Sequence, residues 1–240
     1  MDIHLRVTAR GIRVLYLLVI VADLLLIGLT AASDMGHAVI HPAIARHFDL
    51  KQEGVLAVWY SSALLLLNCM ACLFVAFRQG LGRWHRAAWL TVAMGFLALS
   101  ADETAQVHEM VGKRKGARGL GMAYVPESNP VFNWLAPAIP LGVLFGAALL
   151  AASRSWSRAF PRNRRLAVAG LACWVGVLAM EFVESQMVRY GMERALQGAL
   201  EEGLELAGAT LFLVALVESL KGGWESGAFA DGKVAKMKVC

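Results

Sequence analysis

Residues 86–103 read RAAWLTVAMGFLALSADE, a stretch that runs from Arg86 to Asp102 without a charge and then closes on two adjacent acids. Sixteen positions separate Arg86 from Asp102, and the same interval separates Arg165 from Glu181 and, read backwards, Lys221 from Glu205. As helix, sixteen residues rise about 24 Å, less than the roughly 30 Å of a bilayer's hydrocarbon core. A basic anchor at one membrane face therefore puts each first acid roughly 6 Å inside the other face. Carboxylates at that depth are costly, and three helices placing them at one level mark a functional region.

Composition agrees with this reading. Hydrophobic residues make up 58% of the 240 residues and charged residues only 17%, far from the mix of a soluble domain. Six spans are expected, at about 13–33, 55–77, 87–111, 132–153, 166–186 and 199–220. Lipid offers the backbone no hydrogen-bond partner, so apolar runs of this length must be helices. The expected fold is all-α, a polytopic membrane helix bundle. Residues 1–221 form a single transmembrane domain, and 222–240 form a polar, disordered cytoplasmic tail.

The distribution of Lys and Arg sets the orientation. Placing both termini in the cytoplasm puts fifteen of the 23 basic residues there, including Arg6, Arg10, Arg13, Arg162, Arg164 and Arg165. The other eight, Arg46, Lys51, Lys113, Arg114, Lys115, Arg118, Arg189 and Arg194, face the periplasm. The net charge of +5 and the pI near 9.2 then report cytoplasmic anchoring and no nucleic-acid partner. The expected location is a bacterial inner membrane. Although Arg6, Arg10 and Arg13 precede an apolar run, the run from Val14 is longer than a signal-peptide core and contains Asp23, which fits a retained helix. Cys69, Cys72 and Cys173 fall inside spans and imply no disulfide framework. The Cys69-x-x-Cys72 pair suits copper(I) or simple apolar packing, the second being commoner in cores.

Two longer loops face outward. Residues 34–54 hold Asp34, His37, His41, His47, Asp49 and Glu53, and residues 112–131 read GKRKGARGLGMAYVPESNPV, basic and rich in glycine. The third span is expected to put Asp102, Gln106 and Glu109 on one helical face, with Glu103 beside it and His108 pointing elsewhere. The fifth adds Glu181 and Glu184, and the sixth adds Glu201, Glu202 and Glu205 within about a 100° arc. His37 and His41 lie one turn apart, and Pro42 is expected to end that turn.

Facing carboxylates with a histidine among them are how helical bundles build metal sites. The candidate ligands are Asp102, His108, Glu181, Glu184, Glu202, Glu205, His37 and His41, for a divalent zinc, iron, manganese or copper ion. Glu103, Glu109 and Glu201 are the candidate general bases. Asp23, about 15 Å from Arg13 along the helix and so near the membrane midplane, is a candidate proton relay or a neutral structural acid. The same acids equally suit the wall of a water-filled vestibule, paired with Arg189, Arg194 and the basic run at 113–118. Ser62 lies at the acids' level and is read as packing more readily than as a site residue.

The strings LSADETAQVHE, EGVLAVWYSSALLLL and EEGLELAGATLFLVAL resemble a group of multipass bacterial inner-membrane proteins marked by a D-E-x4-H-E motif. The likeness runs from Glu53 to Leu216 and implies location without activity. In that group asparagine, proline and threonine tend to follow the glutamate matching Glu53, where this chain has Val55, Ala57 and Val58. A looser likeness, to membrane hydrolases of the alkaline ceramidase and adiponectin-receptor type, rests on a serine in the second span and the acid and histidine around the third. Those proteins hold zinc with paired histidines in the last helix, where this chain has Glu202 and Glu205.

The expected function is a metal-binding membrane protein with a periplasmic site, a hydrolase or oxidoreductase acting on a lipid or other membrane-soluble substrate. Two other classes stay open: a proton-coupled or divalent-cation transporter, and an accessory subunit of a larger membrane complex. Homo-oligomerisation is open too.

Overall fold

The computed structural model describes residues 9–36, 41–52, 54–77, 81–107, 130–156, 160–189 and 196–226. Numbered in chain order over these residues, the helices are α1 (Ala9–Asp34), α2 (Pro42–Phe48), α3 (Leu56–Ala76), α4 (Arg83–Ala105), α5 (Pro130–Ser153), α6 (Pro161–Arg189) and α7 (Gln197–Ser226). A 3-10 turn, Arg154–Trp156, follows α5. No strand is present among the described residues. The six long helices coincide with the six expected apolar runs. Four of them hold stretches long and apolar enough to cross a membrane: Arg10–Asp34, Leu56–Ala76, Ile139–Trp156 and Gln197–Leu220.

Two helix ends differ from expectation, each for a local reason. Pro42 opens α2 instead of ending a turn before it; at a first helical position proline's missing N–H costs nothing and its fixed φ suits the helix. The carbonyl of His41 accepts from the N–H groups of Ile44 and Ala45. Within the third apolar run α4 ends at Ala105. Gln106 turns into the left-handed region at φ 54°, and its N–H closes on the Asp102 carbonyl at 2.6 Å. Gln106 therefore leaves the helical repeat that carries Asp102, while Glu109 lies outside the described residues. At the other end of the chain α7 continues through Gly222 to Ser226.

Helices α3, α4, α5, α6 and α7 pack in a ring, each against the next and α7 back against α3, while α1 lies outside along α7. The ring is filled by an aromatic cluster with one member from each of four helices. Phe96 of α4 lies 5.3 Å from Phe145 of α5, 5.7 Å from Trp174 of α6 and 5.5 Å from Phe212 of α7, all edge to face. Each such contact adds about 0.5–1.5 kcal/mol beyond the area it buries. Glycines let the backbones close around the rings. A Cβ at Gly170 would meet the Gly208 carbonyl at 2.9 Å, and one at Gly208 would meet the Trp174 indole at 2.5 Å. Close approach through small residues is how membrane helices associate without a hydrophobic driving force between them.

Polar side chains tie the remaining helix pairs. Ser62 and Ser100 each donate to the other's carbonyl, both at 2.9 Å, joining α3 to α4. Asn68, fully buried, donates to its own helix at Leu64 and across to the Ala209 carbonyl of α7 at 3.0 Å. Outward, α1 exposes Leu17, Leu18, Leu24 and Leu25 by more than half of their surface. On a helix apolar enough to cross a bilayer, such a face is one that lipid covers.

Candidate functional site

The short segment after α2 is locked before it reaches the acids. Asp49 Oδ1 accepts the Lys51 N–H at 3.1 Å and its backbone carbonyl accepts the Gln52 N–H at 3.1 Å, an aspartate turn of the usual kind. The Leu50 N–H donates to the buried hydroxyl of Thr30 at 3.0 Å, fastening the turn to α1. Held this way, Lys51 extends over the first turn of α7, where a Cβ at Gly198 would lie 2.5 Å from Lys51 Cδ. Its ammonium ion-pairs with Asp34 at the end of α1.

Acids gather around Glu202. The charges of Glu205, Glu103, Glu201 and Asp49 all act on it, so the ends of α4 and α7 and the turn after α2 converge in one basin. Lys51 lies within the electrostatic reach of Glu202 as well. Burial pushes the Lys51 ammonium below the usual lysine range, and the negative charge of Glu202 opposes that shift. The helix ends do not treat the acids alike. Glu201 and Glu202 are near the start of α7, where the helix dipole favours negative charge. Asp102 and Glu103 are in the last turn of α4, where the dipole disfavours it.

Buried oxygens without donors accompany the acids. The Asp34 side chain is only 9% exposed; one oxygen meets Lys51, and Oδ2 has no hydrogen-bond partner among the described residues. Gln197, the first residue of α7, donates to the Met180 carbonyl of α6 at 3.2 Å, and its buried Oε1 likewise has no partner among them. A buried acceptor left unmatched costs about 1–3 kcal/mol. Asp34 pairs with Lys51, and Gln197 directly precedes Gly198, over which Lys51 crosses.

Farther along the seam between α1 and α7 lies a second polar cluster. Asp23, 6% exposed, accepts from the Tyr60 hydroxyl of α3 at 2.7 Å and the Thr210 hydroxyl of α7 at 2.6 Å. Tyr60 also lies 3.2 Å from the Val19 carbonyl. Nearer the chain termini, the Tyr16 hydroxyl donates to Glu218 at 2.9 Å, with the charge of Arg162 also acting on Tyr16.

Of the residues singled out in the sequence, the structure brings together Glu103, Glu201, Glu202 and Glu205. Asp102, partly buried, precedes Glu103 on the same turn. Glu181 and Glu184 lie in the last third of α6, with side chains outside the described set; His37, His108 and Glu109 lie outside the described residues altogether. His41 is exposed at the start of α2. Among the described residues no group of three or more His, Cys, Asp or Glu is drawn tightly enough to hold a metal ion. Asp34, Lys51 and Gln197 were not foreseen as site residues. Asp34 and Lys51 carried a signal, as charges in one of the two longer loops next to a span, whereas Gln197 carried none. Ser62 is taken up by its bonds to Ser100, which makes it a helix tie.

Compared with known proteins, residues 12–220 match the family described as Domain of unknown function (DUF8692). No curated protein and no solved structure matches the chain.

Proposed function

The chain belongs to the DUF8692 family, and we propose that it is a cation-binding membrane protein whose acid basin holds a divalent metal ion. What carries the reading is the crowding at Glu202. Four other carboxylates act on that one residue from three parts of the chain, while Lys51 supplies a positive charge that Asp34 already engages. Like charges so close raise each other's energy unless protons or a cation answer them. The unmatched oxygens of Asp34 and Gln197 add acceptors at the same end of the bundle.

In this proposal Glu103, Glu202 and Glu205 close on the ion, and His108 and the α6 pair Glu181 and Glu184 complete its shell. Carboxylates swing by rotamer changes at low cost, so a ligand set can form around an ion from side chains that repel one another without it. An oxygen-rich set with one imidazole suits zinc, iron or manganese. Bound there, the ion supplies a Lewis acid for an ester or phosphoryl oxygen. Glu201 then takes a proton from the attacking water, and the basic 112–131 loop meets an anionic headgroup. All six long helices cross the membrane, with both termini on the cytoplasmic side of a bacterial inner membrane and the basin toward the periplasm.

Melting of the detergent-purified chain tests the binding step. After chelation, re-addition of Zn²⁺ or Mn²⁺ raises the melting temperature of the wild type and leaves Glu202→Gln/Glu205→Gln unmoved. Equal shifts in both proteins, or none in either, would contradict the reading.

A further inference from the structure

Two polar pairs join α1 to α7, and Glu202 of the acid basin stands one further step along α7. Glu202, Thr210 and Glu218 follow at steps of eight residues, about 12 Å each along the axis. Glu202 belongs to the acid basin, Thr210 bonds Asp23, and Glu218 bonds Tyr16. We propose that this seam is a proton-transfer route and that Asp23, with Tyr60, is its mid-membrane proton-binding site. The proposal does not depend on a metal in the basin.

The geometry at Tyr60 suits the role. Its hydroxyl has one hydrogen and two acceptors in reach, Asp23 Oδ1 at 2.7 Å and the Val19 carbonyl at 3.2 Å. When Asp23 is ionised, Tyr60 and Thr210 both donate to its oxygens. When Asp23 carries a proton, its O–H donates to the Tyr60 oxygen and the Tyr60 hydrogen turns to Val19, while Thr210 keeps donating to Oδ2. Both arrangements use the same heavy-atom positions, so the site loads and unloads a proton by rotating one hydroxyl hydrogen.

Tyr60 of α3 is the titratable group that meets Asp23, and Thr210 is the polar group that meets it from α7. On α1 the next titratable group toward the termini is Tyr16, seven residues away. A buried acid with two hydroxyl partners would equally be formed by simple helix adhesion, but adhesion needs no second acceptor for the tyrosine hydrogen. Nor does it need a second hydroxyl–carboxylate pair, Tyr16 with Glu218, on the same seam. The transfer is balanced without a redox partner. A proton from water at the basin end binds the Asp23 carboxylate and passes to the Glu218 carboxylate, with water carrying it across each interval.

The test uses the full chain in sealed vesicles containing a trapped pH indicator, with a potassium diffusion potential as driving force. Wild-type vesicles are expected to take up protons faster than protein-free ones, and Asp23→Asn and Tyr60→Phe to cut that rate by at least about tenfold. Asparagine's carbonyl oxygen can accept from Thr210 while its amide group donates to the Tyr60 oxygen and the Tyr60 hydrogen turns to Val19, so the fold has little reason to change. Infrared difference spectra provide the second reading: a protonated-carboxyl band that titrates in the wild type, vanishes in Asp23→Asn and shifts in Tyr60→Phe. Wild-type flux no greater than that of protein-free vesicles would overturn the proposal, as would flux or spectra that either variant leaves unchanged. Bound metal is expected to be the same in Asp23→Asn and wild type, so failure here and failure of the metal reading are told apart.

Discussion

At Lys51 the electrostatics of the basin become measurable one side chain at a time. Its ammonium is partly withdrawn from water, with 34% of the side chain exposed, and burial lowers its proton affinity more than Glu202 restores it. The sign follows directly. The neutral amine is the nucleophile, so Lys51 is expected to acylate at lower pH than the tail lysines Lys233, Lys236 and Lys238 in competitive labelling read by mass spectrometry. A common pH midpoint would refute the shift. In the folded state the proton is held less tightly than in the unfolded chain, whose lysines titrate near about 10.4, so this group adds stability as pH rises through the window below that value. Lys51→Met, which strands the mostly buried Asp34, is expected to lower stability by about 1–2 kcal/mol at neutral pH, the partial exposure of the lysine tempering the cost. Unfolding in mixed micelles would measure it. The sixteen-residue interval singled out Asp102, Glu181 and Glu205, of which Glu205 acts on Glu202 in the fold; the lysine's part was not legible, since nothing in the order of residues shows that the Asp49 turn aims Lys51 across α7.

Among the elements, α6 and α7 depend on glycine for their approach. Gly170→Val forces a branched side chain against the Gly208 carbonyl and is expected to cost about 1–3 kcal/mol, the usual range for overpacking. Asn68→Leu removes the cross-helix bond to Ala209 and is expected to cost about 1 kcal/mol. Equilibrium unfolding of both variants checks the order, which a smaller loss for Gly170→Val would reverse. The all-helical class and the approximate extent of the long helices among the described residues were legible, because lipid leaves an apolar run no other structure. The end of α4 was not legible, because Gln106 takes a left-handed conformation inside a stretch whose residues would also have suited a longer helix. Pro42 misled for the opposite reason: proline disfavours helix in the residue before it but favours it in the turn it begins. Rotation of each helix about its axis was also unreadable, which is why the part of Asn68 at the α3–α7 contact emerges only from the fold.

For the whole molecule, the arrangement places both described chain ends at one end of the ring and the acid basin at the other, since α1 and α7 run antiparallel along their shared seam. If all six long helices cross, single cysteines at Arg10 and Lys221 in an otherwise cysteine-free chain are expected to be shielded from an impermeant thiol reagent in intact cells, and one at His41 to be labelled. The reverse pattern would invert the orientation, and labelling at every position would deny it. The class of the molecule was written in its composition; the metal-binding reading drew on residues from four segments whose meeting only a fold can show, and α4 and α7 supply the part of it described. Elemental analysis of the purified chain by plasma mass spectrometry tests that reading most directly, with wild type measured beside Glu202→Gln/Glu205→Gln after equal exposure to metal and equal washing. About one or two equivalents of zinc, iron or manganese in the wild type and almost none in the variant is the predicted result. Wild-type protein as empty as the variant, or metal retained equally by both, would contradict it.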